Sequence, residues 1–470
     1  MPQEKYQKNS SGIQERLIVT GKLEFTSPAI FQANDTDDLT DFVILRDEID
    51  QSPLLPGNSL AGALRSYLLK SLPISDATGL DQASVNALFG DVNGKRSTRS
   101  WLFIEDALGV EKGIEIRDGV RIDPATLTAE NKGKYDMELL AAGTSFDLEF
   151  ELRLPKDEKA KPDNMLTLFY TALTALEEGH IRLGGKKTRG LGECKVNEWQ
   201  VYRYRMNDKK DIIRWLKDER SEPEPGSHLY EKLGFASKPA IPADETLRVI
   251  ANFAIDKTIM VRSYSADPKL PDMVHMQNSA GDPIIPGTSI AGVLRAQARR
   301  IAALKMGSEK KAETFVNKMF GSEKADKTGK LTGSRLIVSE AVIEGPVSDI
   351  IQNRVKIDPF TGGTYPGALF NEKPHLHGTV QMEFVIYKPE EQEVGMMLLL
   401  LKDLWDGFLP IGGESSIGRG RLTGIDGSLE WQGKTYELTN KGGNLKISPE
   451  EDDLLFKAIQ SLNADLAGGV

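Results

Sequence analysis

Cysteine is almost missing from this chain of 470 residues: Cys194 is the only one, which excludes an internal disulfide. Five histidines are scattered without zinc-ligand spacing. The one close pair, His375 and His377, lacks further ligands and reads as a polar strand or loop edge. No apolar run reaches the roughly 18 residues of a membrane helix, and Met1 to Ser11 is polar, without the apolar stretch of a signal. These absences predict a cytoplasmic protein. An excess of basic charge is lacking too. Lys and Arg number 59 against 69 Asp and Glu, a net charge of −10, which argues mildly against nucleic acid because phosphate contacts come mainly from Lys and Arg. A local patch can still hold a backbone, and Lys186, Lys187, Arg189, Arg295, Arg299, Arg300, Arg419 and Arg421 gather beside the motifs described next.

What the chain does have is a duplication. Leu55-Pro56-Gly57-Asn58-Ser59-Leu60-Ala61-Gly62-Ala63-Leu64-Arg65 returns 230 residues later as Ile285-Pro286-Gly287-Thr288-Ser289-Ile290-Ala291-Gly292-Val293-Leu294-Arg295. Ile122-Asp123-Pro124 returns as Ile357-Asp358-Pro359. Leu183-Gly184-Gly185 with Thr188, Gly190 and Gly192 returns as Ile411-Gly412-Gly413 with Ser416, Gly418 and Gly420. Three landmarks in one order and at one long period mark two copies of a domain and not a solenoid, each large enough to bury a core. The division is an N-terminal arm (1–14), a first domain (15–203), a charged linker (204–245) containing Glu222-Pro223-Glu224-Pro225-Gly226, a second domain (246–435) and a tail (436–470).

Within each copy, alternation of apolar and polar residues predicts a first strand, Arg16 to Thr26 and Arg248 to Arg262. A helix should follow the Pro-Gly, capped near Asn58 and Ser59 or Thr288 and Ser289, with its N–H groups facing a natural anion position. Strands Trp101 to Asp106 and Ser334 to Ser339 come next, and then Thr144 to Arg153 and Gly378 to Tyr387. A second helix, Met165 to Leu176 and Gly395 to Leu404, precedes the glycine-rich turn and a last strand. Strand, helix, two strands, helix, strand is the ferredoxin-like βαββαβ plan, shared with RRM-type RNA readers, though a plan alone assigns no function. The glycine turn is not a Walker A loop, because Gly185 stands where its lysine belongs. Asp123 and Asp358 precede proline and read as turn formers.

Together the Pro-Gly-x-Ser-x-x-Gly-x-Leu-Arg helix start, the Val-x-Ile-Asp-Pro segment and the late glycine loop resemble the RAMP superfamily of CRISPR-associated proteins. The likeness is nearest to backbone subunits of type III effector complexes, and the tandem to the fused backbone subunits of type III-D. The resemblance implies an α+β fold: tandem ferredoxin-like RAMP domains with inserted hairpin thumbs, for which Leu127 to Leu140 and Phe360 to Pro374 are the candidate segments. It implies CRISPR guide RNA, complementary target RNA and other effector subunits stacked along the guide as partners, and no membrane. It also implies target cleavage, with magnesium (Mg2+) as cofactor, beside an aspartate ahead of the Pro-Gly helix. That aspartate maps to Asp41 in the first copy and to Asp272 in the second.

Read alone, Asp41 is a solvated acid among Asp35, Asp37 and Asp38, and Asp37 and Asp38 stand in if the first loop is shifted. Asp272 lies at the matching distance from its helix in a loop with few acids. A carboxylate there could orient the RNA 2′-hydroxyl or take its proton. Asn58, Ser59, Arg65, Thr288, Ser289 and Arg295 at the helix starts, and Lys186, Lys187, Arg189, Ser415, Ser416 and Arg419 in the glycine loops, are the expected RNA-binding residues. Arg65 and Arg295 read either as solvated helix residues or as bidentate phosphate partners. The second loop lacks the lysines of the first, and Ala61 and Ala291 stand where relatives carry Lys. A non-catalytic guide-binding scaffold and, less favoured for want of a recurring histidine, a guide-processing endoribonuclease are the other readings.

Overall fold

The computed structural model describes residues 12–467 apart from 33–41, 72–79, 94–95, 124–125, 127, 158–160, 221, 240–244, 265–270, 323–328, 330, 347–349 and 450–452. The class is α+β, and the two copies fold as two similar units.

In the first unit, strand β1 (Ile13–Phe25) is flanked by β7 (Cys194–Arg205) and β6 (Ser145–Pro155), with β2 (Leu102–Ile104) and β3 (Ala107–Val110) beyond β6. Val19 faces Val201 on one side and Phe150 on the other, both antiparallel. Alternate residues Leu17, Val19, Leu23 and Phe25 are fully buried, because a strand turns every second side chain to one face. On that face lie α1 (Gly57–Ser71), α2 (Gln82–Phe89) and α3 (Pro162–Glu177). Leu60, Leu64 and Leu68 of α1 and Leu168, Ala172 and Leu176 of α3, at helical spacing, complete the core. The opposite face is closed in part by α4 (Lys209–Leu216), whose Trp215 packs on Ile18, Tyr202 and Tyr204. Segment 204–245 therefore belongs in good part to this unit: Leu229 and Leu233, in and beside α5 (Leu229–Lys232), are core residues.

The second unit repeats the plan. Strand β8 (Thr246–Ile255) lies between β15 (Thr379–Tyr387) and β16 (Leu422–Trp431), with β11 (Leu336–Val338) and β12 (Ala341–Glu344) on the far side of β15. Helices α6 (Gly287–Met306), α7 (Glu309–Phe320) and α8 (Glu391–Trp405) cover it. Residues 436–470 do more than trail away: β17 (Lys434–Lys441) and β18 (Asn444–Ser448) extend the sheet, and α9 (Asp453–Ala467) packs Ala458 against Gly395 of α8.

Each unit carries an inserted hairpin: β4 (Ile114–Ile122) with β5 (Ala129–Leu140), and β13 (Gln352–Ile357) with β14 (Thr364–Lys373). The segments expected as thumbs fall on the return strands of these hairpins; Leu127 itself is outside the described residues. Helices α1 and α6 begin at the glycine, earlier than their side chains suggest, so that Asn58, Ser59, Thr288 and Ser289 sit within the first turn and Pro286 is the cap. The last glycine of each late loop is obligatory. Gly192 and Gly420 have φ of +75° and +77°, and a Cβ would lie 1.8 and 2.0 Å from the carbonyl oxygens of Leu183 and Ile411. Among the described residues, no helix is long and apolar enough to cross a membrane.

Candidate nucleic-acid interface

Asp272 is exposed at the start of β10 (Met273–His275), and its Oδ2 accepts the N–H of Asn371 at 3.2 Å. Strand β10 pairs in parallel with β14, Met273 opposite Glu372, and antiparallel with β9 (Arg262–Tyr264). The carboxylate thus rides on the same four-stranded sheet as the hairpin. Asp41, Asp37 and Asp38 lie outside the described residues. Phe42, the next residue, bridges Met137 in parallel, the relation that Met273 has to Glu372, so Phe42 and Met273 occupy matching places.

What supports these loops differs between the units. Under Asp272, Glu372 is fully buried. It pairs with Arg419 at 3.1 Å, Arg262 at 3.4 Å and Arg354 at 3.5 Å, and Glu414 joins the same three arginines at 2.6, 2.8 and 3.2 Å. Arg419, 3% exposed, also donates to Gln352, so this expected RNA ligand is committed to the interior. At the matching place in the first unit stand Met137, Leu139, Leu191 and Ile30. Lys186 donates to the Tyr135 hydroxyl at 3.0 Å and lies 4.1 Å from that ring's centroid and 5.4 Å from that of Phe42. It too is held within the fold, by a cation–π arrangement.

The structure brings Ser59 and Lys187 together. A cleft of about 330 Å³ runs between the first turns of α1 and the glycine loop, lined by Ser59, Gly62, Ala63, Gly184, Gly185 and Lys187. Lys187 is exposed; its carbonyl accepts from Arg182 at 3.3 Å, while its side chain has no hydrogen bond or ion pair among the described residues. Lys70, at the far end of α1, has its pKa lowered, first by burial and then by the charge of Lys187. Asn58 is exposed beside the cleft. Arg65 points instead to α2, donating to Asn86 at 2.8 Å with Asp91 at 3.7 Å, and Arg295 repeats this with Asn317 at 2.7 Å. The first N–H of α1 is already taken: Gly57 donates to Asp106 at 2.7 Å. Ser415 and Ser416 are exposed in the second loop, and Thr288 and Ser289 are half-buried.

Thr288 and Ser289 are covered because the first unit's loop docks there. Arg189 reaches into the second unit and donates to the Phe320 carbonyl at 2.9 Å; Arg182 donates to Ser339 at 2.9 Å. Gly190, with φ +87°, lies so close to Glu340 that a Cβ would come 2.5 Å from its nitrogen. From the hairpin base, Arg117 is buried between Glu115 and Glu340, and the Ser279 N–H donates to Glu115 at 2.8 Å. Burial and the nearby charge of Arg295 lower the Arg189 pKa to about 10.

Histidine offers no base here. His275 is buried, accepting from the Val261 N–H through Nδ1 and lying 3.0 Å from the Ile284 carbonyl through Nε2; burial and His375 lower its pKa to about 4. Nor does the open sheet face supply the stacking aromatics of an RRM-type reader: Arg16, Glu151 and Arg153 form ion pairs across it, and Arg153 covers Phe103. Among the described residues, no three His, Cys, Asp or Glu side chains gather as a metal site. None of the ion pairs around Asp272 or at the junction was legible beforehand. The Glu372–Arg419 pair joins residues 47 positions apart and the Arg117–Glu340 pair residues 223 apart, which no local spacing links.

The sequence pattern of the RAMP superfamily matches residues 22–195 and again 226–423. The CRISPR system Cms endoribonuclease Csm3 of Streptococcus thermophilus is 26% identical over 165 residues, covering 33% of this chain and 73% of that protein.

Proposed function

Because the chain belongs to the RAMP superfamily over both its units, we propose that it is a fused backbone subunit of a type III CRISPR effector complex, of the type III-D kind. In this reading its two ferredoxin-like palms grip guide RNA without regard to sequence and cut the paired target RNA once per unit. Base pairing with the guide would choose the target. Guide phosphates would lie in the cleft of Ser59 and Lys187, with Asn58 beside it. Other effector subunits continue the stack, in the cytoplasm.

The observation that carries the cleavage reading is Asp272. It is a single exposed carboxylate, held by the Asn371 N–H at the point where the palm loop joins the hairpin sheet, and Asp41 is its counterpart. RNA carries its own nucleophile. Cleavage needs the 2′-oxygen in line with the phosphorus and the leaving 5′-oxygen, which stacked A-form geometry denies. A hairpin that splays one nucleotide out of the duplex can supply this alignment, an effect able to remove several kcal/mol of barrier. Asp272, fixed relative to that hairpin, would then orient the 2′-hydroxyl or accept its proton, for about 10²–10⁴-fold in rate. Magnesium enters as an ion carried largely by phosphate oxygens and water, with one carboxylate at hand, where it would offset phosphate charge.

Assembling the complex on a target and replacing Asp41 or Asp272 by Ala tests this. Each change should remove one cut and leave the other cut and target binding intact. A deoxy sugar at one position should protect that position alone. If both variants cut everywhere, the chain is a guide-binding scaffold.

A further inference from the structure

The contact between the units is head to tail: different surfaces meet, so among the described residues one face of each kind is left uncovered. The internal junction shows what the free face of the first unit must match. In the second unit the receiving residues are Ser279, Phe320 through its carbonyl, Ser339 and Glu340; they accept or border Glu115, Arg117, Arg182 and Arg189. Counting from the shared landmarks, the same positions in the first unit are Glu48, Phe89, Glu105 and Asp106. Glu48, Glu105 and Asp106 are exposed, and neither Glu48 nor Glu105 has a side-chain partner among the described residues. The receiving face of the first unit is therefore more acidic than the one occupied inside the chain.

The outgoing face of the second unit has moved the other way. Where the first unit presents Arg182, Lys187 and Arg189, the second presents Pro410, Ser415 and Ile417, and where it presents Glu115 the second has Ile350. Ile417 and its neighbour across the face, Ile351, are 56% and 48% exposed. A second copy of this chain docking through that face would set Ile350 against Glu48 and Pro410 against Glu105, with a cation for neither carboxylate. Buried carboxylates without a partner oppose association, and facing charges choose between partners more than they add affinity.

We propose that the free face of the first unit is a docking surface for a different chain, one whose glycine loop and hairpin base are cationic, and that the acidic residues Glu48, Glu105 and Asp106 exclude a second copy of this protein. The chain then caps its own growth and takes one defined place in a mixed assembly. This refines the partner reading above but rests on the two-unit architecture alone.

The test uses the full chain without RNA, so its failure leaves the cleavage reading untouched. Wild-type protein should sediment as a monomer throughout the micromolar range. A graft with Pro410→Arg, Ser415→Lys and Ile417→Arg, all in an exposed or half-buried loop, gives the second unit a cationic outgoing face, and it should form a ladder of dimers, trimers and longer chains. Adding Glu48→Lys and Glu105→Lys to the graft blocks its own receiving face; mixed with wild type, it should stop at a one-to-one complex. High salt should weaken that complex roughly ten-fold or more, as exposed charge pairs are screened. Wild-type chains that self-associate and are dispersed by Glu48→Lys and Glu105→Lys would overturn the proposal. So would a graft with native circular dichroism that stays monomeric, or one whose association survives the receiving-face reversal.

Discussion

Replacing Glu372 by Met and Arg419 by Leu puts into the second unit the residues that fill the same place in the first, Met137 and Leu191. Each change alone breaks a buried ion pair. Glu372→Met leaves three arginines around the single carboxylate of Glu414, with Arg419 nearly inaccessible to water. Breaking such a pair costs about 3–5 kcal/mol. Arg419→Leu leaves Glu372 its longer contacts to Arg262 and Arg354, at 3.4 and 3.5 Å, and balances two arginines against two glutamates, so its cost falls near the lower end, about 3 kcal/mol. The double variant removes one charge of each sign and restores an apolar pair, which is often neutral or stabilising. With singles of about 3–5 and about 3 kcal/mol and a double near zero, the coupling energy should therefore reach about 6 kcal/mol or more, above the roughly 0.5–3 kcal/mol usual for residues in contact. Unfolding of a two-unit chain need not be two-state, so the reporter should be local: hydrogen exchange of the β14 amides. With about 2–4 °C per kcal/mol for a unit of this size, each single change should also lower the second unit's melting midpoint by roughly 6 °C or more. If the double variant is as unstable as the sum of the singles, the two residues act independently and the reasoning fails.

Three further outcomes follow from other parts of the molecule. His275 has a folded pKa near 4 against an ordinary value near 6.5, so the unfolded chain binds a proton the folded chain refuses. Its contribution is complete above about pH 6.5 and is lost as pH falls toward 4, roughly 3 kcal/mol in all; His275→Gln, which keeps a donor and an acceptor, should flatten stability over that window, and an unchanged slope would refute the assignment. Arg117→Met leaves Glu115 and Glu340 buried without their cation, a loss of about 3–5 kcal/mol. It should speed exchange around Ser279 to Gly287 ahead of the rest of the second unit; uniform acceleration would count against a junction effect. Gly190→Ala and Gly418→Ala both put a side chain at φ near +90°, but only the first meets the other unit, 2.5 Å from the Glu340 nitrogen. Gly418→Ala should cost about 1–2 kcal/mol and Gly190→Ala clearly more, as measured by thermal unfolding; equal costs would mean that the loop does not bear on the junction.

The duplication was legible because its landmarks are set by backbone geometry. Gly192 and Gly420 each lie against a carbonyl that leaves no room for a Cβ, and Gly57 and Gly287 against others, so both copies keep them and the eye can align them. Strand and helix order followed from periodicity, since β1 and β8 alternate cleanly and α1 and α6 carry apolar residues at helical spacing. The helix starts were misplaced by the polar residues: Asn58 and Ser59 look like caps, but the first N–H of α1 is satisfied by Asp106, 49 positions away. Helices α2 and α7 went unseen ahead of their Phe-Gly turns, and the tail was too weakly patterned to reveal that it extends the second sheet. At the candidate site, Asp272 was singled out by the family resemblance, with its matching distance from the helix in support. Arg419 and Lys186 were misleading because a cation in a glycine loop looks alike whether it faces phosphate or, as here, Glu372 or Tyr135.

The two units diverge where side chains complete one another in pairs, and this gives the second acidic loop a dependence the first does not share. Arg117 stands on strand β4 of the first hairpin, yet its partner Glu340 and the nearby Ser279 N–H belong to the second unit, and Ser279 lies in the stretch joining Asp272 to α6. The first hairpin is thus tied to the loop that carries Asp272. Fusion in one chain sets the spacing of the two units coarsely through residues 204–245, but a linker alone would let them move; the buried cation between two carboxylates makes the arrangement specific, since sliding would strand three charges out of water. A duplex lying across both units would meet Asp272 at a distance from the first hairpin that the protein itself determines. Among the described residues, no hairpin from elsewhere in the chain lies on the matching stretch of the first unit, where Glu48 stands in the place of Ser279. In the proposed assembly a neighbour's hairpin would complete that position, and the acidic face of Glu48, Glu105 and Asp106 is where it would arrive.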